Sequence, residues 1–224
     1  MGFGSCKMVG MDAQPNTKAV PALLKCTYTI FVAVLVPVYW MNYGPTNFLY
    51  FCDIALFLTL AAVWTEKPIF ASMAAVGILI PQILWCLDFG TELVGLHLVS
   101  MTSYMFDEKN SLFLRGLSLF HGWLPFLLFF LVVRIGYDKR ALAAWTGLAV
   151  VLCLIAFFLM PPAGAVMHNS KIPVNINYVF GFDDAKAQTR MPAGQYLVAW
   201  IVALTLIAYL PTHLFLKRFS RKPQ

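Results

Sequence analysis

The sequence predicts an all-α fold: a polytopic transmembrane helical bundle of about six spans, with both termini cytoplasmic. Three observations carry this. The 224 residues are 60% hydrophobic and only 12% charged, whereas a soluble domain carries roughly 25% charged residues. Apolar runs of membrane-crossing length recur along the chain, and a bilayer asks for about 20 such residues per helix. The basic residues are distributed unevenly over the connections, as the positive-inside rule requires of a membrane protein.

The spans follow in order. Val20 to Trp40 forms the first, with Tyr39, Trp40 and Tyr43 as an interfacial aromatic belt and Asn42 to Asn47 as a turn. The second covers 47–64 and ends at Thr65-Glu66-Lys67-Pro68, where proline suits the first turn of the next helix. The third covers 68–88, with Pro81 inside it. Residues 89–110 are mixed and read as a re-entrant or interfacial segment. The fourth covers 111–135 with Pro125 inside, and the fifth covers 141–160 and stops at Pro161-Pro162. A long loop, 161–191, precedes the sixth span at 193–214. The chain thus divides into a cytoplasmic segment 1–19, a bundle 20–215 and a basic tail 216–224. No short apolar core with a small-residue cleavage site opens the chain, so the first helix is expected to stay as the insertion signal. No internal repeat of the inverted-transporter kind is visible.

Orientation rests on Lys and Arg. Lys7, Lys18, Lys25, Lys67, Arg134, Lys139, Arg140, Lys217, Arg218, Arg221 and Lys222 fall on one side. Fewer than half as many, Lys109, Arg115, Lys171, Lys186 and Arg190, fall on the other. The richer side is expected to be cytoplasmic, in a bacterial inner membrane. The net charge of +6 therefore sets topology, and nucleic acid is not an expected partner. Membrane lipids are expected partners, with other membrane subunits as a further class.

Cys6, Cys26, Cys52, Cys86 and Cys153 contain no CxxC pair, which describes neither a zinc site nor a disulfide framework. No HExxH, GxSxG or P-loop pattern occurs. A b-type haem wants two deep axial histidines, and only His121 is deep; His97 and His168 lie in loops and His213 at an inner helix end. The residues leave the cofactor open: Asp53, Asp88 and His121 could in composition make a metal site, but ligands so scattered carry little specificity.

A charge inside hydrocarbon costs at least about 2.5–3.5 kcal/mol, so such residues turn inward and mark functional candidates. Asp53 lies about 9 Å below the outer end of span two, at 1.5 Å per residue. Asp88 ends span three, and Arg115 and His121 share span four. Ser118, His121, Gly122 and Pro125 recur at helical spacing on one smaller, more polar face. Asn175, Asn177 and Tyr178 from the outer loop can join them. This makes His121, Cys52 and Asp53 the catalytic candidates, with Asp88, Arg115, Asn177 and Tyr178 as binding candidates. Cys52 is reactive only as thiolate, for which a histidine can serve as base. The same residues admit a structural reading in which Arg115 forms a buried ion pair with Asp53 or Asp88 and His121 is a packing residue.

The succession NFLYFCDIALFLTLAAVW, SLFHGWLPFLLFFL and NINYVFG resembles the YwaF-like family of bacterial integral membrane proteins. That family carries a Cys-Asp pair on an early helix, a later histidine and an Asn-Tyr loop motif. It is distantly related to eukaryotic membrane acyltransferases that move acyl chains on ether phospholipids through a cysteine and a histidine. Over roughly 42–182, the resemblance implies Cys52 as nucleophile, His121 as its base, Asp53 in support and Asn177-Tyr178 as the loop motif. The expected activity is then intramembrane lipid-ester hydrolysis or acyl transfer. A non-catalytic accessory subunit or assembly factor and a small-solute carrier are the competing expectations.

Overall fold

The computed structural model describes residues 20–96 and 101–219. These residues are helical with turns and no strand. The helices are α1 (Ala22–Tyr43), α2 (Phe51–Thr65), α3 (Pro68–Leu93), α4 (Leu112–Ser118), α5 (Phe120–Ile135), α6 (Ala141–Leu159), α7 (Ala193–Ala203) and α8 (Leu210–Phe219). Helices α4 and α5 run on as one rod, as do α7 and α8 through a π-helical segment, Leu204–Tyr209. Among the described residues five rods are long and apolar enough to cross a membrane, and α2 is a shorter apolar sixth. The protein is a multi-pass membrane helical bundle. Lys7, Lys18, Arg221, Lys222, Cys6 and His97 lie outside the described residues.

Helix α3 is the hub. It packs against α2, α5, α6 and the last rod, and half of its apolar window is buried, against 22% for α1. Its N-terminal half offers Ala71, Ser72, Ala74, Ala75 and Gly77, all buried, and small residues let neighbouring helices approach closely. At Gly77 a Cβ would land inside the Trp145 ring. Trp145 in turn meets Phe51 at 5.9 Å and Tyr209 at 6.2 Å, both edge-on. One indole thus ties α6 to α3, to the start of α2 and to the π segment.

One end of the bundle has short connections. Glu66 and Gly136 stop helices there with left-handed or glycine-only backbone, φ 54° and 100°. Lys25 pairs with Glu66 at 2.6 Å, and Ser72 Oγ accepts the Asp138 N–H at 2.9 Å. The hydrogen bond from Val20 N to Glu66 Oε1 and that between Tyr137 and His213 bring both described chain ends to this side. The opposite, loop-rich end carries residues 44–50, 94–96, 101–111 and 160–192.

Two expected boundaries move. Helix α3 continues through Phe89 to Leu93, so the irregular stretch is shorter than 89–110. The apolar run 47–50 is not α-helical: Pro45–Leu49 is a 3-10 turn and α2 starts only at Phe51. Apolarity alone could not show this, because the cause is side-chain hydrogen bonding: Asn177 holds Leu49 O and Phe51 N, and Asn47 reaches on to the Asp53 carboxylate. Helix α2 ends, and α3 begins, at the short turn Glu66–Lys67. At 1.5 Å per residue α2 therefore begins about 16 Å short of the level that the far end of α3 reaches. Its N-terminus opens inside the bundle, where irregular backbone is tolerated only if protein covers it.

Candidate functional site

The interior start of α2 is where the chemistry gathers. Asp53 falls in the first turn of the helix, not six residues down it as the apolar run suggests, because the helix begins four residues later than that run. A carboxylate is stabilised at this position by the helix dipole, which offsets part of the cost of placing it in the membrane. Asp53 is 2% exposed. Its Oδ2 accepts from Asn47 Nδ2 at 3.1 Å and faces the Cys52 thiol at 4.0 Å. Its Oδ1 is buried with no hydrogen-bond partner among the described residues. Tyr39, Tyr43 and Tyr50 lie within electrostatic reach of Asp53, and Tyr104 and Tyr178 within reach of Cys52.

One loop, 175–181, holds this start in place through Asn177, and a second packs on α3 and α4. Asn177 is 3% exposed. Its Oδ1 accepts the Phe51 N–H and its Nδ2 donates to the Leu49 carbonyl, both at 3.0 Å. Its own carbonyl accepts the Trp200 indole N–H at 2.8 Å. The motif adopts left-handed backbone at Asn175, Asn177 and Tyr178, with φ between 51° and 58°, and asparagine tolerates that region better than most side chains. Asn175 closes the loop on itself by accepting from Phe180 N and donating to Gly181 O, both at 2.9 Å. Burial beside this loop raises the Asp184 carboxyl above the usual carboxylate range, partly offset by its bond from Asn175.

The second loop is 101–106. Asp88 Oδ2 accepts both the N–H and the hydroxyl of Thr102, at 3.0 and 2.9 Å. Arg115 Nη1 donates to the Met105 carbonyl at 3.1 Å, and Asn110 Nδ2 donates to the Tyr104 carbonyl at 3.0 Å. Phe106 stacks on Phe89 at 5.5 Å. These bonds set Tyr104 against Trp85 and Ser118. Among the described residues no ion pair joins Arg115 to Asp53 or Asp88. Asp88 and Arg115 each bond groups of loop 101–106 instead.

His121 occupies an adjoining layer. Its ring stacks on Trp85 (4.8 Å) and Phe120 (4.0 Å), and Nδ1 bonds the Ser118 carbonyl at 2.8 Å. A carbonyl only accepts, so Nδ1 carries the proton and Nε2 is the basic nitrogen. Pro125 has no N–H for the His121 carbonyl four residues before it, and the Cys86 thiol points there at 3.8 Å. No hydrogen bond among the described residues joins His121 to Cys52 or Asp53. The link is indirect: Ser118 Oγ bonds Tyr39 Oη at 2.7 Å, and Tyr39 lies within electrostatic reach of Asp53.

Sequence reasoning missed Asn47, Tyr39, Tyr104, Gln82 and Trp85. Gln82 had a visible signal, an amide in the apolar run ILIPQILW. It is 2% exposed, and neither Nε2 nor Oε1 has a partner among the described residues. No group of three or more metal-ligating side chains occurs among the described residues. No protein-family model, curated protein or solved structure matches the chain.

Proposed function

We propose that the chain is a bacterial inner-membrane enzyme that hydrolyses or transfers a lipid acyl ester at the start of α2, with its loop-rich end extracytoplasmic. The observation that carries this reading is a thiol beside a buried carboxylate with one uncommitted oxygen, at a helix N-terminus that opens within the membrane. The uneven Lys and Arg distribution supports the orientation, and the resemblance to the YwaF-like family supports the reaction class.

Asp53 takes the thiol proton as Cys52 Sγ attacks the ester carbonyl, which avoids a free thiolate beside a carboxylate. The oxyanion faces the Cys52 N–H, which takes no part in the bonds made by Phe51 N, Asp53 N and Ile54 N. Preorganised backbone donors of this kind are a large source of rate in acyl transfer. Collapse expels the lipid alcohol, which leaves with the proton from Asp53. Water or an acceptor alcohol then cleaves the thioester, restoring the thiol. His121 acts through Ser118 and Tyr39 as a positioning residue.

The test is lipid profiling of cells expressing wild type, Cys52→Ala, Asp53→Asn or His121→Ala. The reading predicts altered acyl-ester species that revert in Cys52→Ala and Asp53→Asn, with a partial effect in His121→Ala. Identical profiles in all four would remove it.

A further inference from the structure

The last helical rod carries a feature that chemistry at Cys52 and Asp53 does not use. Thr212 and Leu216 turn one face of α8 into the bundle, and both are buried. Leu214, Phe215, Arg218 and Phe219 are exposed and line a groove of about 410 Å³. Its wall is tied to α5: Phe215 packs against Phe129 at 6.3 Å and against Phe219 at 4.6 Å between ring centroids. The hydrogen bond between Tyr137 and His213, 2.6 Å long, holds α8 against the turn between α5 and α6. Packing between two elements therefore shapes the groove, rather than a free helix end.

Length sets its depth. The rod Ala193–Phe219 has 27 residues, about 40 Å at 1.5 Å per residue, whereas the hydrocarbon core is about 30 Å thick. Centred in the bilayer, the rod puts its final turn among the headgroups. Arg218 then stands at headgroup level, and Leu214 and Phe215 lie one turn back toward the acyl tails.

Charge says what fills the groove. The two acids at this end of the bundle among the described residues are Glu66 and Asp138, bound to Lys25 and Arg140 at 2.6 and 2.7 Å. Lys67, Lys139, Lys217 and Arg218 have no acidic partner among the described residues. The sequence adds Arg221 and Lys222 just beyond Phe219. A second copy of the chain would bring the same positive excess to the groove, and a zwitterionic head brings no net counter-charge. An anionic head supplies it, and a planar guanidinium matches phosphate oxygens in a bidentate pair.

We propose that this groove binds one anionic phospholipid, its phosphate on Arg218 and an acyl chain along Leu214, Phe215 and Phe219. The site lies at the end with short connections and does not depend on the acyl-ester reading of Asp53.

The experiment is native mass spectrometry of the purified full chain, released from micelles holding equal amounts of phosphatidylglycerol and phosphatidylcholine with the same chains. Wild type should retain one phosphatidylglycerol in preference to phosphatidylcholine. Arg218→Gln should lower that retention about tenfold, or about 1.4 kcal/mol, as expected when a hydrogen bond between charged groups is lost. Lys67→Gln removes the same charge at the same end and should leave retention unchanged. Phe219→Ser keeps the charge, shortens the apolar wall and should also weaken retention. Equal retention of the two lipids overturns the proposal. So does an equal loss in Lys67→Gln and Arg218→Gln, which reduces the effect to diffuse surface charge, and so does full retention in Phe219→Ser. Complete displacement of the lipid by excess inorganic phosphate overturns it in favour of a free anion, and a lipid-free dimer overturns it in favour of a second copy.

Discussion

Replacing Asn177 by alanine removes both ends of the clamp that sets where α2 begins. The side chain satisfies one N–H and one C=O of the Leu49–Phe51 backbone, and at 3% exposure water has little room to replace it. Each lost bond leaves a buried backbone group at a cost of about 1–3 kcal/mol. Alanine held at the native φ of 58° adds roughly 1–2 kcal/mol. The alanine variant should therefore lose about 3–5 kcal/mol, toward the lower end of that sum because the loop can relax. Asn177→Gly keeps the left-handed backbone and loses only the clamp, about 2–3 kcal/mol, and Asn177→Asp retains the acceptor for Phe51 N–H and loses about 1–2 kcal/mol. Thermal unfolding in a mild detergent, at about 2–4 °C per kcal/mol for a chain of this size, should rank them wild type, Asp, Gly, Ala. Labelling of Cys52 by a membrane-permeant maleimide should quicken in the same order as the first turn loosens. A glycine variant as stable as wild type, with unchanged labelling, would refute the argument.

Gly77→Ala drives a methyl into the Trp145 ring and should cost about 1–3 kcal/mol from overpacking. In Gly77→Ala/Trp145→Leu the two losses should fail to add, and strict additivity in the unfolding midpoints counts against that packing. The Lys25 bond holds the Glu66 carboxyl below its usual value of 4.5. A depressed carboxyl stabilises the fold above the unfolded value and loses that contribution as pH falls through the folded one. Glu66 is partly exposed, so Glu66→Gln should cost no more than about 1 kcal/mol at neutral pH, with the gap closing below pH ~4.5 in paired melts. A gap independent of pH contradicts the ion-pair account. Asp184 has the opposite sign: its carboxyl is raised by burial, so neutral pH weakens the 175–184 loop and acidification toward the usual carboxylate range strengthens it. Asp184→Asn should flatten that part of the stability profile, and an unaltered profile speaks against burial as the cause.

The membrane assignment and the helix count were legible because hydrocarbon thickness imposes a length and a composition that no local interaction overrides. The start of α2 was not. Its position depends on Asn177, 126 residues away from Phe51 in sequence, and a run such as FLYFCDIALF carries no mark of that contact. For the same reason Asp53 was legible as a buried carboxylate but not as a first-turn residue. Asp88 and Arg115 were visible as charges near one end, yet their partners are backbone groups of loop 101–106, and backbone partners leave no trace in residue types. His121 was legible as the deep histidine. That its Nδ1 turns to its own helix at Ser118 follows from the break at Leu119 and from Pro125, a local geometry that the pattern hinted at only through the proline.

The most direct measurement is where an acyl group attaches. Purified protein in nanodiscs can be exposed to a lipophilic β-lactone that acylates activated thiols, then digested and mapped by mass spectrometry. Unselective chemistry favours the exposed Cys26 over the part-buried Cys52. The account predicts a thioester on Cys52 that is lost in Asp53→Asn, with Cys26 and Cys86 unmodified. Acylation at Cys26 or Cys86 instead, or at Cys52 regardless of Asp53, would contradict it.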